Sequence, residues 1–162
     1  MNSWSKHHRP GFSSLVVALL AMSAGGVPAA AEILPGPVLA EVVEIIDGDT
    51  LAVRARIWLD QTIEARVRLS GIDAPELRGR CAAERHAAVE ARALLAALTE
   101  DRVVTLHDVK HDKYGGRILA RVADSHGRDL GGALLGAGLA ARYDGGRRQS
   151  WCELAEGGRG TD

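Results

Sequence analysis

The order of elements predicts an α+β, mainly β domain: a small five-stranded barrel of the OB type with flanking helices. Three observations predict it. Five runs have the length and patterning of strands, a long helix interrupts them after the third, and aromatic residues make up only 4% of the chain, so the core must be built from Val, Leu, Ile and Ala. A βαβ arrangement would need more helices. Glu32–Leu39, with Pro35 and Pro37, reads as an extended lead-in. Glu41–Ile46 is mostly β-branched. Thr50–Leu59 alternates, with Leu51, Val53, Ala55, Ile57 and Leu59 on one face and Arg54 and Arg56 on the other. Asp60-Gln61 marks a hairpin turn, and Thr62–Leu69 alternates again, with Ile63, Ala65, Val67 and Leu69 opposite Glu64, Arg66 and Arg68. Pro75 stops that strand because it cannot donate to a ladder. Ala82–Thr99, rich in Ala, Leu, Glu and Arg with no internal Gly or Pro, predicts the longest helix. Val103–Val109 and Arg117–Ala123 complete the strands, which read as antiparallel. Asp129–Ala137 predicts a short second helix weakened by three glycines.

The chain has 162 residues, room for one domain. Residues 1–31 have the build of a signal peptide: Lys6 and Arg9, an apolar stretch from Leu15 to Met22, then Ala29-Ala30-Ala31. An uncleaved anchor is the alternative, but the apolar stretch is short of the roughly 20 residues a bilayer requires. The sequence thus predicts an exported protein, periplasmic or secreted, without stable membrane association after cleavage. Its expected parts are a lead-in at 32–40, a domain at 41–152 and a flexible tail at 153–162. Two of the 20 basic residues and none of the 21 acidic ones lie in 1–31, so the rest carries 18 basic against 21 acidic, a net charge of −3. That balance argues against tight, sequence-independent nucleic-acid binding, which usually comes with a basic domain. Two cysteines in an exported chain read most simply as one disulfide, Cys81–Cys152. Two free thiols, or half of a metal site with His86, are the alternatives.

Three segments carry candidate chemistry. Asp47-Gly48-Asp49-Thr50 ends one apolar run, Arg68 through Glu76 ends another, and Asp112-Lys113-Tyr114-Gly115-Gly116-Arg117 sits in a later turn. Carboxylates at Asp49 and Asp73 are hard-cation donors, with the Ala74 carbonyl as a further oxygen. Glu76 is placed to orient or deprotonate a water. Arg68 and Arg117 are suited to a phosphate and its developing charge. Three carboxylates and two guanidinium groups at strand ends are what metal-assisted phosphodiester hydrolysis needs. Each piece alone has a plainer reading. Asp-Gly is a common turn, Glu76 an ordinary loop charge, Arg68 part of a solvated face with Arg66 and Glu64, and Arg117 a surface residue after a turn. The two arginines and Glu76 are expected to be exposed at the barrel mouth, so that their removal leaves stability nearly unchanged.

Together the segments resemble the thermonuclease family, the staphylococcal-nuclease-like domains, over roughly Val42 to Tyr143. Ile46–Thr50 matches the family's first motif, Arg68–Glu76 the second and Asp112–Arg117 the third. The resemblance implies an OB-fold barrel and Ca²⁺-dependent cleavage of DNA and RNA to products ending in 3′-phosphate. It implies Asp49, Asp73 and the Ala74 carbonyl as calcium ligands, with Asp47 nearby. It also implies Glu76 at the attacking water, Arg68 and Arg117 on the scissile phosphate, and Tyr114 and Tyr143 beside the nucleotide. Three departures stand out. Ala74 replaces the threonine of the best-known members. An extra glycine precedes Arg117, which is aligned by the following Leu119-Ala120. The long C-terminal helix of longer members is shortened or absent, and a Cys81–Cys152 disulfide would tie down this end instead.

A nucleic-acid substrate and a monomeric enzyme are therefore expected. A non-catalytic OB-type module binding nucleic acid or protein is the alternative, set against it by the intact charged set and the acidic balance. A structural exported protein with incidental carboxylates would not account for arginines and carboxylates falling together in register.

Overall fold

A computed structural model describes residues 32–153; the expected signal peptide and nearly all of the expected tail lie outside the described residues. Strands β1 (Val38–Asp47), β2 (Thr50–Trp58) and β3 (Gln61–Leu69) form a meander, followed by a two-residue strand β4 (Ile72–Asp73). Helix α1 (Ala82–Leu98) leads to β5 (Val103–His111) and β6 (Ile118–Asp124), then to α2 (Leu130–Gly136) and a second short strand, β7 (Ala141–Arg142). The barrel closes in the order β1-β2-β3-β6-β5, while β4 and β7 pair separately.

The strands lie where the alternating patterns place them. The closure corrects the reading of a wholly antiparallel set, because β3 and β6 run parallel, with Val67 opposite Ile118 and Arg68 opposite Leu119. Strand β1 also starts earlier than the β-branched run. Val38, Leu39 and Ala40 pair with Leu106, Thr105 and Val104 of β5, distant partners that no local pattern reports. The core is aliphatic, as the scarcity of aromatics requires. Leu51, Val53, Val67, Leu69, Val104, Leu106 and Val122 fill the barrel, and Leu95 from α1 with Leu130 and Leu134 from α2 cap it.

The alternating face of β2 and β3 is buried only at its inner end. The hairpin outruns the barrel, leaving Ile57, Leu59 and Ile63 exposed, Leu59 at 81%. Period-2 alternation states which side chains share a face, not whether anything covers it.

Helix α1 starts at an N-cap cysteine: Cys81 Sγ accepts from the Glu84 N–H at 3.4 Å. Its buried stripe is Ala88, Ala91 and Leu95, so small residues let it approach the barrel closely. The turn between β1 and β2 shows how closely. A Cβ on Gly48 would lie 2.7 Å from the Ala91 Cβ and 3.0 Å from the Ala74 Cβ. Gly48 serves close approach here, with the flanking Asp47 and Asp49 positioned by it. Gly48→Ala is expected to push α1 outward and lower stability by about 1–3 kcal/mol, the usual range for overpacking. Urea denaturation measures this, and an unchanged midpoint would show that the helix yields freely.

Candidate active site

The site forms at one end of the barrel, where β1 turns into β2 and β3 runs on into β4. Antiparallel pairing sets Thr50 opposite Arg68, and the Leu69 N–H donates to the Asp49 carbonyl at 2.8 Å. Register alone therefore brings Asp49 beside Arg68. Strand β4 then returns Asp73 to the same place.

Arg68 bridges the two aspartates. Its Nη1 lies 2.9 Å from Asp49 Oδ1 and 2.8 Å from Oδ2, and its Nη2 lies 2.9 Å from Asp73 Oδ1. Asp49 Oδ1 also accepts from Thr50 Oγ1 at 2.8 Å, and Oδ2 from the Ala74 N–H at 3.1 Å. The side chains of Asp49 and Asp73 are only 4% and 3% exposed, and that of Arg68 is 14% exposed. Arg68 points out of the apolar core, as the alternation requires, yet into a nearly closed ionic pocket rather than toward solvent. This corrects the expectation of an exposed, structurally neutral arginine.

Asp47 sits beside this pair, its Oδ1 accepting from the Gly48 N–H at 2.8 Å. Burial pushes its carboxyl above the ordinary range; the Gly48 amide opposes the rise, and the Asp49 and Glu76 charges add to it. Glu76 lies just past Pro75 with its side chain half exposed.

Arg117 comes from the turn before β6, and the parallel register puts it at the same barrel end as Arg68. Its Nε donates to Asp112 Oδ2. Gly115 and Gly116 have φ of 66° and 67°, with open space where a Cβ would project. Two consecutive left-handed residues are what the glycine pair supplies. Burial would raise the Asp112 carboxyl, but hydrogen bonds from Arg117 and the Tyr114 amide outweigh it and hold it below the usual value. Tyr114 is 70% exposed, with Lys113 Nζ 5.0 Å and Arg117 Cζ 5.4 Å from its ring centroid. Tyr143 is anchored by its N–H to the Gly71 carbonyl at 3.0 Å, which extends the β4–β7 pairing.

A groove of about 790 Å³ joins these parts, lined by Arg68, Glu76, Tyr114, Arg117, Tyr143 and Arg148. Lys110, Lys113, Asp112 and Asp144 line it too, so five basic groups face three carboxylates and the groove is locally cationic.

Arg148 is the site residue that sequence reasoning missed. Its Nε lies 3.0 Å from Asp73 Oδ2 and its Nη2 2.7 Å from Asp73 Oδ1, while Nη1 pairs with Glu76 Oε1. Burial would depress the guanidinium, but these carboxylates outweigh it and raise its pKa further. A signal was present: Arg148 precedes Cys152 by four positions, and Glu76 precedes Cys81 by five. A Cys81–Cys152 bond therefore brings the two together.

That bond is formed, with a Cα–Cα distance of 6.0 Å and a sequence separation of 71. It removes the alternative of a cysteine metal site. His86 is exposed and paired with Glu90 at 3.4 Å. Among the described residues, the set of three donor side chains with atoms mutually within 4.8 Å is Cys81, Glu84 and Cys152, whose sulfurs are bonded to each other.

The fold and this site define a class: a small OB-fold barrel with buried aspartates and guanidinium groups at its mouth, opening on a cationic groove. The family model described as "Staphylococcal nuclease homologue" matches residues 66–154. The chain belongs to that family, and membership points to a nuclease-type function. Among curated proteins, no match is found.

Proposed function

We propose that this chain is an exported, Ca²⁺-dependent nuclease that hydrolyses phosphodiester bonds of DNA and RNA and leaves 3′-phosphate ends. The observation that carries the proposal is Arg68 bridging the buried Asp49 and Asp73, with Glu76 tied to Asp73 through Arg148, at the head of a cationic groove. The donor chemistry fits a hard divalent cation: Asp49 and Asp73 offer carboxylate oxygens, and the Ala74 carbonyl adds a neutral one. Asp47 lies outside that set and adds negative field. When bound, the ion supplies positive charge to the phosphate and lowers the pKa of a water.

The protein's own groups do the rest. Glu76 takes a proton from the water as its oxygen bonds to phosphorus. The P–O5′ bond breaks, the leaving oxygen takes a proton from solvent, and phosphate stays on the 3′ side. Arg68 and Arg117 hold the non-bridging oxygens, where charge grows toward the transition state. Tyr114 and Tyr143 flank the nucleotide, the exposed Tyr114 ring offering a stacking face. The working unit is a monomer after removal of 1–31, its domain taking in Val38–Ala40, which pair with β5. Among the described residues no helix is long and apolar enough to cross a membrane.

Incubating the mature protein with single-stranded DNA, with Ca²⁺ or with a calcium-selective chelator, tests this. Cleavage should require Ca²⁺ and return when it is restored. Mg²⁺ should serve poorly, because it demands stricter octahedral geometry. Undiminished cleavage in chelator would refute the calcium assignment. Binding without cleavage under every metal condition would leave the protein a nucleic-acid-binding module.

A further inference from the structure

We propose that Arg148, anchored by the Cys81–Cys152 crosslink, is a built-in countercharge for Asp73 and Glu76 and competes with the divalent cation for Asp73. The inference rests on the calcium reading above and adds a regulator to the same site.

Geometry carries it. Arg148 reaches both oxygens of Asp73 and one of Glu76, while Arg68 takes Asp73 Oδ1 from the other side. Asp73 is thus flanked by two guanidinium groups, and the carboxylate proposed as the base is tied up by one of them. A hard cation needs the same Asp73 oxygens. A dication and a guanidinium beside one carboxylate repel each other, so the ion enters as Arg148 withdraws. Withdrawal is open to it: the Arg148 side chain is 43% exposed, against 14% for Arg68. Arg68 is fixed in a strand; Arg148 lies in the irregular segment after β7.

What brings an irregular segment to the site is its two ends. Strand β7 pairs with β4, setting Ala141 opposite Asp73, and Cys152 is bonded to Cys81. Pinning the chain on both sides of Arg148 keeps the guanidinium at high effective concentration beside the acids. Opening the disulfide frees one side and weakens that competition. Metal affinity is thereby coupled to the redox state of a bond outside the groove.

Isothermal calorimetry of Ca²⁺ binding to the oxidised protein, without nucleic acid, tests this directly. Arg148→Gln should bind Ca²⁺ at least about tenfold more tightly than wild type, since it removes a unit charge adjacent to Asp73. It should also melt at lower temperature in chelator, and that deficit should shrink in saturating Ca²⁺. A Cys81→Ser/Cys152→Ser variant keeps an N-cap for α1 and retains Arg148. It should shift Ca²⁺ affinity in the same direction by a smaller factor. Equal or weaker Ca²⁺ binding by Arg148→Gln would overturn the inference while leaving the calcium reading intact. No Ca²⁺ binding by any of the three proteins would overturn both.

Discussion

Arg68→Ala is expected to lose turnover and stability together. The guanidinium bridges two carboxylates that are almost wholly buried. Without it, Asp49 keeps only the Ala74 amide and the Thr50 hydroxyl, and Asp73 keeps Arg148. Removing one partner from a buried ionic network typically costs about 3–5 kcal/mol, because a charge is left uncompensated. Loss of a preorganised contact to the developing phosphate charge should lower the rate by about 10²–10³. Thermal melting in chelator and single-turnover cleavage in Ca²⁺ separate the two effects. Ca²⁺ should recover much of the stability, since it supplies the missing positive charge, but not the rate. Arg68→Lys should recover part of the stability and little of the rate, as an ammonium cannot span Asp49 and Asp73 or grip a phosphate in two-pronged fashion. A variant with wild-type melting in chelator and wild-type turnover would show that Arg68 is neither strut nor phosphate ligand. Glu76 is more exposed and sits outside that bridge, so its removal should affect rate far more than melting. Arg117→Ala should also cost stability, because it leaves the buried Asp112 without its ion pair.

Reducing the Cys81–Cys152 bond is expected to produce the largest stability change that leaves every side chain of the groove chemically unaltered. Its ends are separated by 71 in sequence, and a crosslink of that span removes denatured-state entropy worth roughly 4 kcal/mol. For a domain of this size the melting temperature should fall by on the order of 10–15 °C. The bond joins the start of α1 to the segment carrying Tyr143 and Arg148, so reduction should loosen that side of the groove first. Calorimetric melts of oxidised and reduced protein measure the shift, and peptide mapping without reductant identifies the linked pair. Coincident melts would show that the terminal segment contributes nothing to the barrel.

Much of the fold follows from local patterns. Alternation marked β2 and β3, and an Ala- and Leu-rich stretch without Gly or Pro marked α1, because these signals depend on residues close in the chain. The core of the site was legible for the same reason. Asp49, Arg68, Asp73 and Glu76 sit at strand ends that one hairpin register brings together, so short motifs carry most of the geometry. Tertiary structure decided what depends on distant partners. The parallel β3–β6 closure, the pairing of Val38–Ala40 with β5, and the β4–β7 ladder join segments far apart in sequence. Exposure at Ile57, Leu59 and Ile63 was hidden because a pattern of faces does not state where the barrel ends. Gly48 read as a turn residue, and only the approach of Ala91 and Ala74 reveals its steric role. Arg148 was the hardest to see. It lies in an aperiodic Gly- and Arg-rich stretch, and its partners are set by a crosslink and a two-residue ladder acting from either side. The sequence by itself determined the strand-end motifs and the cysteine pair. Which charges face one another across the groove was decided by long-range closure, because Coulomb and hydrogen-bond partners are chosen in space and not along the chain.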